Sequence, residues 1–134
     1  MTVVIDPSAL VAYLLEESGF EKIRDLIAAG VDSPALLVME SSNAILEASK
    51  NNRIDREAAG EAIQVMLSLL ESNITIHDEA DVLENAFDIA ADHGLTTYDS
   101  IYLALAKKLH GGLASRDRRQ IEASKALEID IVPT

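Results

Sequence analysis

The sequence predicts an α/β fold: a mostly parallel sheet with helices on both faces. Three observations lead there. The opening run "TVVI" (2–5) is apolar and β-rich without alternation, as in a strand buried on both sides. Helical periodicities and further short β-branched runs then alternate to the end of the chain. Finally, 134 residues with 49% apolar content suit one compact domain with its own core, taken as a single domain over residues 1–134.

Each element has a local cause. Asp6-Pro7 starts a helix, since Asp is a favoured cap and Pro a favoured first residue; "SALVAYLLEES" (8–18) follows, closed by Gly19. "FEKIRDLIAA" (20–29) places Ile23, Leu26 and Ile27 on one face, with Gly30 behind it as a stop. "VDS" (31–33) is a short strand before Pro34. "ALLVMESSNAILEASK" (35–50) is a helix with Leu36, Met39, Asn43 and Leu46 near one stripe. Asp55 caps the next helix, where Ala62, Ile63, Met66, Leu67 and Leu70 recur. "NITIH" (73–77) alternates and is a strand. "EADVLENAFDIAADH" (79–93) is helical, ended by Gly94, and "DSIYLALAKKLH" (99–110) is an amphipathic helix stopped by Gly111 and Gly112. "LAS" (113–115), "RRQIEASKAL" (118–127) and "IDIV" (129–132) give a strand, a helix and a last strand.

Composition narrows the function. No Cys means no disulfide and no thiolate metal site. No secretory leader precedes the first strand and no apolar run approaches a membrane span, so a cytoplasmic protein with no membrane partner is expected. A net charge of −12 argues against general nucleic-acid binding, which needs Lys and Arg. The distribution qualifies this. Glu57 to Ala106 holds ten acids and no Lys or Arg, whereas Lys107 to Lys125 holds six bases and two acids. Aromatics are 4% of the chain, so stacking platforms for bases are scarce.

In open parallel sheets, ligands bind beyond the carboxyl ends of the strands. Asp6 and Asp117 stand at such ends. Each also reads as a plain helix cap, and for Asp6 alone the cap has slightly the better claim. Asp99 opens a helix and reads as a cap in the same way. Glu40 is different: Leu36, Leu37, Asn43 and Ala44 surround it at helical spacing, so a lone carboxylate there needs a distant arginine or a metal. Four such acids in one cleft would repel by roughly 1 to 4 kcal/mol per pair at 4 Å and would take up protons or a cation. Oxygen ligands without Cys or His favour Mg²⁺ or Mn²⁺ over zinc. Periodicity alone does not bring the four together.

Three motifs, "VIDPSALVAYLLEE", "SPALLVMESSNAILEASKNNRI" and "GLTTYDSIYLALAKKLHGGLASRD", occur in this order over nearly the whole chain. Together they resemble the PIN domain, in size and layout the stand-alone VapC-type toxins of toxin–antitoxin pairs. The resemblance implies a three-layer sandwich with a central sheet of four to five strands. It implies Mg²⁺- or Mn²⁺-dependent RNA hydrolysis, with Asp6, Glu40, Asp99 and Asp117 as catalytic metal ligands. Ser8, Asn43 and Ser115 take supporting positions, with Ser115 where Thr is commoner. Arg116, Arg118 and Arg119 become candidate RNA contacts, their bland alternative being exposure or salt bridges. A homodimer through helices of the amino-terminal half and a cognate antitoxin are the implied protein partners.

Rival readings are weaker or stay open. A haloacid-dehalogenase-like phosphatase needs a second Asp where Ser8 stands, and a receiver domain needs a Lys after the last strand, which "IDIVPT" lacks. A non-toxin PIN nuclease, an exonuclease or DNA-directed enzyme included, and a catalytically silent PIN-like binding module remain alternatives. The intact acidic set argues against the silent module.

Overall fold

A computed structural model describes residues 1–134. Four strands, β1 (Val3–Ile5), β2 (Val31–Pro34), β3 (Ile74–His77) and β4 (Gly112–Ala114), form one parallel sheet in the order β3-β2-β1-β4. Seven helices connect and flank them: α1 (Pro7–Leu14), α2 (Phe20–Ala29), α3 (Leu36–Lys50), α4 (Arg56–Ser72), α5 (Leu83–His93), α6 (Thr97–Lys108) and α7 (Arg118–Ala126), with a 3₁₀ turn at Glu79–Asp81.

Every residue of β1 and β4 is buried, so both faces of these two strands are covered, as the unbroken apolar run of β1 requires. Helix α6 is buried continuously from Ser100 to Ala106 and packs on β1, β2 and β4, with α5 and α7 against it. Helices α1 to α4 form a second group, α1 against α2 and α3, and α3 against α4. One core of 26 buried residues unites sheet and helices, and a small cluster of Val11, Ile45 and Ala62 ties α1, α3 and α4 together. At Gly111 a Cβ would run into the Thr2 carbonyl, so only glycine lets the chain enter β4 so close to β1.

The topology fixes where a site belongs. The chain steps outward from β1 to β2 to β3, then returns to the other side of β1 as β4. The strand order reverses at β1 and β4, so a crevice opens at their carboxyl ends. There the Asp6 amide donates to the Ala114 carbonyl at 3.2 Å, extending the ladder by one residue.

Several expectations are corrected. The first helix ends at Leu14, not residue 18; Glu16 turns left-handed at φ 51°, and Gly19, at φ 81°, precedes α2 instead of closing α1. The 79–93 segment splits into the 3₁₀ turn and α5 at Val82. On α3 the buried stripe is Leu37, Ser41, Ile45 and Ala48, while Met39 and Leu46 are exposed. Leu36 and Leu37 are both apolar, so the sequence admits two adjacent stripes and only packing selects one. Leu67 on α4 is also exposed. The last strand, 129–132, shrinks to one parallel bridge between Ile131 and Leu113.

Candidate active site

Asp6 lies at the strand-order switch and is 2% exposed. Its Oδ1 accepts the Ala9 amide at 3.1 Å, which makes it the cap of α1, and the Ser8 hydroxyl at 2.7 Å. Its Oδ2 accepts the Ser115 hydroxyl at 2.5 Å. Each serine is itself oriented by a backbone amide: Arg116 N–H donates to Ser8 Oγ at 2.8 Å, and Asp117 N–H to Ser115 Oγ at 3.0 Å. With both hydroxyl protons committed to Asp6, the 3.3 Å approach of Ser8 Oγ to Ser115 Oγ is a contact between acceptors. Burial pushes the Asp6 carboxyl above its ordinary range; Ser115, Ser8 and Ala9 pull it back, and the charge of Asp117 adds to the push.

Glu40, on the second turn of α3, is half-buried and receives the Tyr102 hydroxyl at 2.6 Å. Tyr102 is 1% exposed. Burial, then the bond to Glu40, raises the phenol far above its ordinary range, so Tyr102 is a permanent donor. Burial raises the Glu40 carboxyl, Tyr102 lowers it and Asp99 raises it. Asp99 is not the cap expected: Thr96 caps α6, its Oγ1 accepting the Asp99 amide at 3.1 Å, and Asp99 is the third helical residue. Asp117 is the cap expected, accepting the Arg119 amide at 2.8 Å and the Gln120 amide at 3.3 Å.

Asp117 lies near enough to Asp6, and Asp99 near enough to Glu40, for its charge to raise the neighbouring carboxyl, and Tyr102 feels the charges of Glu40, Asp6 and Glu79. No Lys, Arg or His forms a salt bridge with any of them. No three such side chains close into a cage that would hold an ion on protein ligands alone. An all-oxygen, uncompensated and open set of this kind suits a hard divalent ion, which keeps several waters and binds through one or two carboxylates plus substrate phosphate. It does not suit a closed structural zinc site.

The basic segment is less available than its sequence suggests. The Arg116 guanidinium packs over Gly19, and Arg119 Nη2 donates to the Gly94 carbonyl at 3.2 Å. Arg118 is exposed and makes no side-chain bond. Asn43 is exposed one turn beyond Glu40 and also makes none.

The PIN domain family model matches residues 3–126. The chain belongs to the PIN domain family. Curated relatives include Ribonuclease VapC3 of Pyrobaculum aerophilum, 29% identical over 95% of this chain and 98% of that one. Ribonuclease VapC9 of Mycobacterium tuberculosis is 29% identical over 98% of each. Among solved structures, PAE2754 of Pyrobaculum aerophilum superposes with a TM-score of 0.73 at 23% identity, covering 98% of this chain and 83% of that one. VapC20 of Mycobacterium tuberculosis, described as a sarcin-ricin loop cleaving toxin, superposes at 0.65 and 18% identity over 91% and 95%. These structural likenesses establish that the PIN fold is shared.

Two residues of this PIN domain escaped the sequence reading. Tyr102 hid inside an apolar helical run, although a buried tyrosine generally needs a partner for its hydroxyl. Gln120, 3% exposed, donates from Nε2 to the Asp99 carbonyl at 2.9 Å while its amide serves the Asp117 cap, so it ties α6 to α7. Its Oε1 is buried without a partner.

Proposed function

We propose that this single PIN domain, residues 1–134, is a ribonuclease hydrolysing RNA phosphodiester bonds with Mg²⁺ or Mn²⁺, and the toxin of a toxin–antitoxin pair. One observation carries the chemistry: Asp6 is buried at the switch point, braced by two hydroxyls, and faces another carboxylate without a cation partner. Support for RNA as substrate comes from the relatives named ribonucleases.

In this reading Asp6, Glu40, Asp99 and Asp117 hold the metal. When bound, the ion supplies charge stabilisation at the attacked phosphate and lowers the pKa of a coordinated water. Ser8 and Ser115 keep the Asp6 carboxylate in one orientation, and Tyr102 does the same for Glu40. Asp117 is exposed and Asp99 half-buried, which leaves them accessible to a water nucleophile whose proton a carboxylate can accept. Arg118 is the base free to meet a phosphate, while Arg116 acts from its place over Gly19 and Arg119 from its bond to the Gly94 carbonyl. Asn43 stands where it can orient a water.

Solved structures of this fold include a toxin–antitoxin complex from Klebsiella pneumoniae and VapBC2 of Rickettsia felis bound to a promoter DNA fragment. They support an antitoxin as partner here. The exposed apolar side chains Met39 and Leu46 on α3, and Val65 and Leu67 on α4, offer a surface for that protein or for a second copy in a homodimer. No helix is long and apolar enough to cross a membrane, and the proposed working compartment is the cytoplasm.

The test is cleavage of single-stranded RNA by the purified chain. Asp6→Asn and Asp99→Asn should lose Mg²⁺- or Mn²⁺-dependent cleavage while keeping wild-type circular dichroism. Equal cleavage by all three proteins, or undiminished activity in EDTA, overturns the assignment. Cleavage of single-stranded DNA at the same rate would replace the RNA-specific reading.

A further inference from the structure

A second feature adjoins the acids. A cleft of about 390 Å³ is lined by Leu36, Glu79, Leu83, Thr97, Tyr98 and Ile101. Leu36 precedes Glu40 by four residues on α3, and Tyr98 precedes Tyr102 by four on α6. Residues so spaced share a helix face. The cleft and the Glu40–Tyr102 bond are thus successive rungs between the same two helices, roughly 6 Å apart. Apolar groups dominate the lining, yet Tyr98 is 62% and Leu83 48% exposed. The polar exceptions are the Thr97 hydroxyl and the Glu79 carboxylate. Glu79 follows the carboxyl end of β3, is half-buried, and its side chain has neither a hydrogen-bond partner nor a salt bridge.

We propose that this cleft is a nucleobase subsite of the same centre and that its ligand is guanine. The proposal rests on the ribonuclease reading. A phosphate held at the Glu40 level places its neighbouring base about one turn away, where the cleft lies. The base would stack on the Tyr98 ring against the aliphatic wall of Leu36 and Leu83, the mode by which unpaired bases are bound. Glu79 then selects among bases. A carboxylate only accepts hydrogen bonds, through two adjacent oxygens. Guanine alone presents two neighbouring donors, N1–H and the 2-amino group, on its Watson–Crick edge. Adenine and cytosine place an acceptor nitrogen beside their amine, and uracil flanks its single N–H with carbonyls. A site built around such a bond rejects bases that leave the carboxylate unpaired.

The test uses the four 5′-mononucleotides, which contain no phosphodiester to cut, and follows by NMR in Mg²⁺ the Thr97 and Ile101 signals in every protein, with the Tyr98 ring signals where that ring is present. GMP should bind about tenfold tighter than AMP, CMP or UMP. Glu79→Gln should erase that preference, and Tyr98→Ala should weaken all four nucleotides by about tenfold. In parallel, mapped RNA cuts should lie next to guanines in wild type and scatter in Glu79→Gln. Equal binding of the four nucleotides, or an unchanged preference in Glu79→Gln, overturns the guanine assignment. Wild-type dimers that become monomers in Tyr98→Ala, with no nucleotide shifting Tyr98, assign the cleft to a second copy instead. GMP binding without any RNA cleavage would retain the subsite and remove the ribonuclease reading; cleavage indifferent to sequence would do the reverse.

Discussion

The Tyr102–Glu40 bond can be weighed without any catalysis. Tyr102→Phe removes one hydroxyl and keeps the ring that fills the core under α6. A net hydrogen bond to a charged group contributes about 1.5–3 kcal/mol. Glu40 is only half-buried and regains water when released, so the loss should fall near 1–2 kcal/mol. On a chain of 134 residues that is a fall in Tm of roughly 3–6 °C. Glu40→Ala strands the other partner: the Tyr102 hydroxyl, inside a residue 1% exposed, loses its acceptor at a cost of about 1–3 kcal/mol. Relief of the repulsion from Asp99 offsets part of this. The double variant strands neither group, so it should be less destabilised than the sum of the singles by about 1–2 kcal/mol. Urea unfolding of all four proteins in EDTA measures the cycle. Effects that add to within about 0.3 kcal/mol would refute the bond as an energetic link. Calorimetric Mn²⁺ titration should then show about tenfold weaker binding in Tyr102→Phe, the usual consequence of losing a residue that orients a ligand.

Further outcomes follow from the same geometry. Ser115→Ala removes the Asp6 Oδ2 donor and the acceptor of the Asp117 amide together, so metal affinity and cleavage should fall; Ser115→Thr, keeping the hydroxyl, should restore both. The carboxyls of Asp6 and Glu40 are raised from ordinary values of 3.8 and 4.5. The folded chain therefore holds protons that the unfolded chain has released. Stability of the metal-free protein should be greatest below about pH 4 with respect to these two groups, and be lost as pH rises through the raised values. Urea midpoints between pH 4 and 8 should show that slope, flattened in the Asp6→Asn/Glu40→Gln double variant. Gly111→Ala should cost about 1–3 kcal/mol through the clash with Thr2, read as a lower thermal midpoint.

Much of this molecule can be read from its residues, for physical reasons that also mark the limits. The unbroken apolar run of β1 announces a strand covered on both sides because no polar residue interrupts either face. Pro7 and Asp55 announce helix starts because their chemistry is local. Asp99 misleads for the same reason: Thr96, three residues earlier, caps equally well, and only the Asp99 amide bond decides between them. The α3 stripe fails because Leu36 and Leu37 offer alternatives that tertiary packing resolves. Tyr102 reaches across 62 positions to Glu40, and Ser115 across 109 to Asp6. No local pattern encodes such distances. The topology supplies them by returning β4 beside β1. For the same reason the basic run at 116–119 looks like one patch in sequence, yet Arg116 lies over Gly19 while Arg119 is bonded to the Gly94 carbonyl.

Asp6 and Asp55 together separate structural work from chemical work. Both cap a helix, each accepting the amide three residues on, at 3.1 Å and 2.7 Å. Capping needs one neutral acceptor, and Asn or Ser performs it about as well. Asp55 is exposed and bears no burial cost. Asp6 is buried beside Asp117, where its charge is opposed by desolvation and repulsion that a neutral cap would avoid. Under the proposed metal-ion chemistry, a cation would offset that excess charge at Asp6, as a proton does in its absence. Asp55→Asn should leave Mn²⁺ affinity and cleavage unchanged and shift stability by a few tenths of a kcal/mol. Asp6→Asn should hold or raise metal-free stability near pH 7 while weakening Mn²⁺ binding by at least tenfold and ending cleavage. If Asp6→Asn instead loses several kcal/mol in EDTA and binds Mn²⁺ as wild type does, the carboxylate is a structural hub and the metal lies elsewhere.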